Sequence, residues 1–301
     1  MTKLRDALNG GDFVVTAELG PPLQPDPERV RSTASAFAPI VHAANVTDNQ
    51  AATVKLSPVA SSVWMLEQGL DPILQVTTRD RNLLAIQADL LGAWALGVRT
   101  VLALSGDPLK VGPYEGLSKP VADIDSLGLL ELITRMNEGV MAAGEKLDPP
   151  PDFLILTAAN PLVDTIERLE SKLHAGAHAF QTNIVYDVDR FLEWFEPVLA
   201  AGVTERGPMI VGVTPPRSTR MLQHMHDHIP GIEVDEQTFA RMEGLEGAEA
   251  REAGIAIAVD VIARLREIPQ VAGVHLMAPG WEAEAVPALV AGAGLAGATS
   301  R

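Results

Sequence analysis

The sequence predicts an α/β fold, a (β/α)8 TIM barrel, and three observations carry that expectation. Eight apolar runs of strand length alternate with eight segments of helical periodicity along the 301 residues. The strand runs are nearly continuous in apolar residues, as parallel strands covered by helices are. The rival fold, a doubly wound open sheet, is usually complete with about six strands and carries a glycine-rich fingerprint after the first. Here Gly20-Pro21-Pro22 follows the first strand instead. A barrel needs about 250 residues, so 1–301 reads as a single domain with extra helices before strand eight.

Taken in order, the first strand covers 13–19, and the first helix 26–38. Strand two, 41–48, is followed by a helix at 57–68. Strand three, 72–78, leads through Arg79-Asp80-Arg81 to a helix at 82–96, where Asn82 has the side chain of a good N-cap. Strand four, 100–105, and a helix at 126–136 enclose a Gly- and Pro-rich stretch, 107–125. It reads as a long loop at the strand C-terminal end, where barrels carry their active sites. Strands five to seven, at 152–158, 179–185 and 208–214, precede helices at 164–175, 188–201 and 218–228. Strand eight, 271–278, and a helix at 282–290 complete the set. Between Pro230 and Pro269, Phe239, Met242, Leu245, Ile255, Ala258, Val261 and Leu265 have helical spacing, so one or two extra helices are expected as a packing insertion. Gly97 and Gly176 fall where a helix ends and a left-handed residue is needed.

Composition narrows the function. Hydrophobic residues make up 47% and charged residues 21%, which supplies a sizeable core and excludes a disordered chain. With 23 basic and 39 acidic residues the net charge is −16, which repels polyanions and argues against nucleic acid as a partner. There is no cysteine, so disulfides, thiolate zinc sites, thiolate-held iron–sulfur clusters and cysteine nucleophiles are excluded, and redox chemistry requires a bound cofactor. The opening MTKLRDALNGGDF lacks a signal-peptide core, and no stretch approaches about 18 apolar residues. The expectation is a soluble cytoplasmic protein with no membrane partner.

If the barrel closes, the polar residues ending its strands face one pocket. They are Glu18, Thr47-Asp48-Asn49, Gln75 with Thr77-Thr78-Arg79, Ser105-Gly106-Asp107, Asn160, Gln181 to Asn183 and Thr214. Glu18 ends an apolar strand ahead of a stiff diproline turn. Burial there would raise its pKa and suit a general acid, while the other reading is a carboxylate capping a loop amide or pairing with an arginine. Asp107 could accept from the donor edge of a heterocycle, or form an Asx-turn that starts the Pro-rich loop, or both. An arginine of the Arg79-Asp80-Arg81-Asn82 run could grip a pyrophosphate, or the run could be a solvated Asp/Arg cluster. In the His224-Met225-His226-Asp227-His228 run only His224 and His228 share a helix face, and nothing is patterned to complete a metal set, so a polar helix end is expected. P-loop, Ser/His/Asp elbow and CxxC patterns are absent.

The ordered strand-end motifs resemble those of methylenetetrahydrofolate reductases. Those motifs are Ala-Glu-Leu-Gly-Pro-Pro at 17–22, Val-Thr-Asp-Asn at 46–49, Thr-Arg-Asp-Arg-Asn at 78–82 and Leu-Ala-Leu-Ser-Gly-Asp-Pro at 102–108. They continue with Asp-Ile-Asp-Ser-Leu-Gly-Leu at 123–129, Ala-Asn-Pro at 159–161, Ala-Gly-Ala-His-Ala-Phe-Gln-Thr-Asn at 175–183 and Gly-Val-His-Leu-Met-Ala-Pro at 273–279. The spacing of Gly-Asp-Pro-Leu-Lys-Val-Gly-Pro-Tyr is most similar to the bacterial FAD-dependent branch also found fused to methyltransferase domains.

The resemblance implies a flavin-bearing barrel that reduces methylenetetrahydrofolate to methyltetrahydrofolate, with NADH or NADPH and the folate using one FAD face in turn. It implies that Glu18 is the acid that helps open the methylene bridge, and that Asp107 contacts the pterin and tunes the flavin. It places Thr47, Gln75, Thr77, Ser105, Gly106, Asp125, Ser126, Asn160 and Lys172 at flavin-contacting positions. Asn183 stands where the family has a folate-contacting glutamine, with Gln181 two positions earlier. The chain departs from many relatives at Gln75, where they carry histidine, and at Ser105, where they carry arginine, and it is shorter after strand five. Two other readings accompany the first: direct hydride transfer without flavin, and a non-redox tetrahydrofolate-binding subunit of a complex. Tetrahydrofolate and a nicotinamide are the expected partners, and a homo-oligomer or an electron-transfer subunit is left open.

Overall fold

The computed structural model describes residues 2–229 and 231–295. Eight parallel strands close into a barrel in sequence order, each paired with the next and the last with the first. They are β1 (Val14–Leu19), β2 (Ala43–Val46), β3 (Pro72–Thr77), β4 (Thr100–Leu104), β5 (Leu154–Ala159), β6 (Ala179–Ile184), β7 (Met209–Val213) and β8 (Val271–Leu276). Around them lie α1 (Lys3–Gly10), α2 (Pro27–Phe37), α3 (Pro58–Glu67), α4 (Leu83–Ala95), α5 (Ser126–Asn137) and α6 (Ile166–His174). The ring continues with α7 (Val188–Ala200), α8 (Val203–Arg206), α9 (Thr219–His228), α10 (Glu236–Met242), α11 (Gly247–Arg266) and α12 (Glu282–Gly292). The predicted fold class is the observed one.

Strand alternation sorts the interior into layers. The lowest is apolar: Val14, Ala43, Ile73, Leu102, Leu154, Ala179 and Ile210 pack with Leu4 and Ala7 of α1. Helix α1, in a segment where the sequence predicts no element, plugs the base. Its apolar signal is two buried side chains in eight residues, too short a period to stand out. The next layer is polar and closed on itself. The Asn45 amide donates to Gln181 Oε1 (2.8 Å), Gln181 Nε2 donates to Asn45 Oδ1 (3.2 Å) and Thr16 Oγ1 (3.4 Å), and Thr16 Oγ1 lies 3.0 Å from His275 Nδ1. Outward-facing strand residues and the inner helix faces form the apolar shell, with Phe37, Phe180, Phe191 and Phe195 fully buried in its larger cluster.

Two elements differ from expectation. Strand β2 is four residues, shorter than the predicted 41–48. Past Val46 the chain leaves the ladder as the Asp48 carboxylate turns to accept from Thr77 N and Oγ1, both at 2.9 Å. Helix α6 starts at Ile166 because Thr165 caps it, leaving Asp164 outside the helix. The insertion holds two helices, α10 and α11, as expected; its predicted start, Pro230, lies outside the described residues. Gly97 (φ 103°) and Gly176 (φ 102°) are left-handed where the helix ends required it. A Cβ on Gly176 would stand 1.9 Å from Thr134 Oγ1, so the position also admits no side chain. Among the described residues no helix is long and apolar enough to cross a membrane.

Candidate active site

The mouth of the barrel is built from the strand C-terminal ends. Glu18, next to last in β1, is 3% exposed. Among the described residues its hydrogen-bond partner is the Gln50 amide, which donates to Oε1 at 3.4 Å. Burial is the main reason its pKa is pushed up to about 7. The negative charge of Glu282, at the start of α12, adds to the rise, Asp107 adds a little more, and the Gln50 hydrogen bond opposes it. Among the described residues no arginine pairs with this carboxyl and it caps no backbone amide.

Gln50 sits in a strained turn. Asn49, Ala51 and Ala52 all have positive φ, at 47°, 52° and 49°, a conformation that costs non-glycine residues about 1 kcal/mol or more each. Surrounding groups hold it in place. Asp107 Oδ2 accepts from Ala51 N at 2.7 Å, Arg79 donates to Asn49 O, and Lys55 N donates to Asn49 Oδ1. Gly112 completes the clamp, because a Cβ there would fall 2.5 Å from the carbonyl oxygens of Ala51 and Ala52. Asp107 therefore reaches across to the β2 loop rather than forming a local Asx-turn, and its Oδ1 has no partner among the described residues.

Arg79 is 5% exposed and donates to Asp80, to Asp107 O and to Asn49 O. It is a buried strut within an Asp/Arg cluster that is less solvated than expected. Arg81 holds Asp48 with two bonds, 2.6 and 3.1 Å long. His224 and His228 stack on α9 with ring centroids 4.9 Å apart.

The expected cofactor positions divide into three groups. Ser105, Ser126, Asn160 and Lys172 come together, with Arg168, around a cavity of about 450 Å³ at the ends of β4 and β5. Lys172 donates to Asp164 Oδ2 and Ala158 O, each at 2.8 Å, and burial lowers its pKa. Thr47, Gln75 and Thr77 are buried among the barrel strands and their ends, and the Thr77 hydroxyl is spent on Asp48. Gly106 (φ 86°) presses against Thr77 and Arg79, with only about 3 Å for any Cβ. Asp125 is the N-cap of α5, accepting from Gly128 N at 2.9 Å. Of the expected folate contacts, Gln181 lies in the polar layer with its amide engaged, and Asn183 sits at a register shift in β6 where its Oδ1 accepts from Ile184 N. Sequence reasoning missed Gln50 and Glu282, which reach Glu18 only through barrel closure. The buried Thr214 hydroxyl at the end of β7 has no partner among the described residues.

A TIM barrel with a buried carboxylic acid at its mouth and a cavity of about 450 Å³ lined by Ser105, Ser126, Arg168 and Lys172 at the ends of β4 and β5 defines a class of small-molecule barrel proteins. Residues 3–290 match the family model of methylenetetrahydrofolate reductase, and the chain belongs to that family. It is 29% identical over 166 residues to methylenetetrahydrofolate reductase 1 of Schizosaccharomyces pombe, a match covering 54% of this chain and 25% of that protein. The chain thus matches about a quarter of the length of that curated relative. Among solved structures it is similar to a protein from Clostridium thermocellum described as binding two copies of 5-methyl-5,6,7,8-tetrahydrofolic acid. That likeness of fold has a TM-score of 0.66 at 15% identity and covers 96% and 97% of the two chains.

Proposed function

We propose that this chain, acting as one domain in the cytoplasm, reduces 5,10-methylenetetrahydrofolate to 5-methyltetrahydrofolate, or runs the reverse, with NADH or NADPH as hydride source and FAD as carrier. The observation that carries the reading is Glu18, buried at the mouth with a pKa of about 7. Family membership and the folate described for the Clostridium protein support the substrate class.

Opening the methylene bridge breaks its bond to N10 and requires a proton there; hydride delivered to the resulting iminium carbon leaves a methyl on N5. Near pH 7 about half of Glu18 holds such a proton. Once it is given up, the Gln50 amide donates to the carboxylate and steadies it. Asp107 Oδ1 is available to accept from a pterin edge while Oδ2 keeps the Gln50 turn in place. When bound, FAD supplies a two-electron carrier between nicotinamide and folate. The residues fit its phosphate end: the Ser105 and Ser126 hydroxyls, the first turn of α5, Arg168 and the remaining Lys172 proton surround one cavity. Asp125 supports that seat by capping α5, while the Thr77 hydroxyl is bonded to Asp48.

A visible absorption spectrum tests the reading. Flavin bands that bleach with NADH under anaerobic conditions and return with methylenetetrahydrofolate are expected. A colourless protein that oxidises NADH only when the folate is present would replace the flavin step with direct transfer. A protein inert in both assays would overturn the reductase reading in favour of a folate-binding subunit.

A further inference from the structure

Most arginines of this acidic chain are spent on the protein itself. They pair with carboxylates, as Arg5, Arg31, Arg81 and Arg206 do, or donate to carbonyls, as Arg99 and Arg135 do. Among the described residues, Arg29, Arg217, Arg220 and Arg251 have no ion pair, side-chain hydrogen bond or ring contact. Three of these four, Arg29, Arg217 and Arg251, line a single cavity of about 280 Å³. They arrive from separate parts of the sequence: the first turn of α2, the loop after β7, and the first turns of α11.

The cavity adjoins the catalytic carboxyl. Leu19 and Gly20, which follow Glu18, form one wall, and Gly280, Trp281 and Glu282 form another. Glu282 joins the two, with Oε1 accepting from Gly280 N at 3.1 Å and lying 3.3 Å from where a Gly20 Cβ would be. The buried indole Nε1–H of Trp281 has no acceptor among the described residues. Glu282 and Glu284 are the acidic members of the lining, so three guanidinium groups face two carboxylates in a molecule whose net charge is −16. That overall charge repels an anionic substrate, and a local cluster of unspent cations is what seats its charged end.

We propose that Arg29, Arg217 and Arg251 form an anion seat beside Glu18, which takes the carboxylate or phosphate groups of a substrate whose reacting part stands in the mouth. The assignment of those groups to a substrate rests on the reductase reading. Two sources share the chemistry: the glutamyl carboxylates of the folate and the phosphates of the nicotinamide donor. Arginine suits either, because its planar fork matches both oxyanions.

The test is binding alone, so it stands or falls separately from the spectral assay. The full chain is titrated with p-aminobenzoylglutamate and, separately, with inorganic pyrophosphate, following the Trp281 indole N–H resonance identified by its loss in Trp281→Phe. A saturable shift with at least one probe is expected, weakened on the order of tenfold in the Arg217→Ala/Arg251→Ala double variant. Arg220→Ala, which removes an unpaired arginine outside the cavity, should titrate as the parent does. Urea midpoints should stay with the parent, because the deleted guanidinium groups make no internal contacts. A response to the glutamate probe assigns the seat to the folate tail, and one to pyrophosphate assigns it to the donor. No shift with either probe, or a shift unchanged in the double variant, overturns the proposal.

Discussion

At the residue scale Glu18 carries the sharpest expectations. Glu18→Gln keeps the shape and removes the proton, so folate turnover should fall by about 10²-fold or more while nicotinamide oxidation by the flavin persists. In the parent enzyme the acid form is lost as pH rises through about 7, and the folate half-reaction should slow about tenfold per pH unit above it. The same variant should be the more stable protein at pH 8. The Glu18 carboxyl ionises near 4.5 when unfolded and near 7 when folded, so its contribution is intact below about 4.5 and lost by about 7. The loss is on the order of 3 kcal/mol; a urea titration of Glu18→Gln that tracks the parent at pH 8 would refute it. Asp107→Asn separates two roles, because an amide oxygen can still accept from Ala51 N; weaker folate binding with the turn intact is expected, read as a raised KM. Glu18 was legible in the sequence because an apolar strand ends in a carboxylate before two prolines. Gln50 and Glu282 carried no such signal, since their nearness to Glu18 is a property of the closed ring.

At the element scale the strained turn at 49–52 connects fold to chemistry. Gly112 packs closely against the Ala51 and Ala52 carbonyls, so Gly112→Ala must push the turn away. The expected result is a several-fold loss of folate turnover with a thermal midpoint within a few degrees of the parent, since few buried apolar contacts change. Strands and most helices were legible because long apolar periods survive any detail of packing. The short β2 and the late start of α6 were not: in each case an aspartate, Asp48 or Asp164, prefers side-chain partners that the local sequence does not display. The loop 107–125 was recognised from its glycines and prolines, but its function as a clamp depends on a contact 56 residues away.

At the scale of the whole molecule, stability and chemistry occupy opposite ends of the barrel. Leu4 of α1 is fully buried in the basal layer, and Leu4→Ala should cost about 3 kcal/mol in urea unfolding without reaching the mouth. His275, buried in the polar layer, has its pKa lowered from 6.5 to about 3 by burial. Its contribution is present above about 6.5 and lost as pH falls toward about 3, so His275→Gln should flatten the acid limb of the stability profile. The eightfold alternation made this architecture readable, whereas the basal plug hid in a segment too short to announce itself. The plug also determines where protons travel. With apolar side chains and α1 closing the base, the Glu18 carboxyl meets solvent from the mouth side, which on the proposed reaction a seated substrate would cover. Each occupancy would then grant the acid a single proton, and recharging would wait for the product to leave.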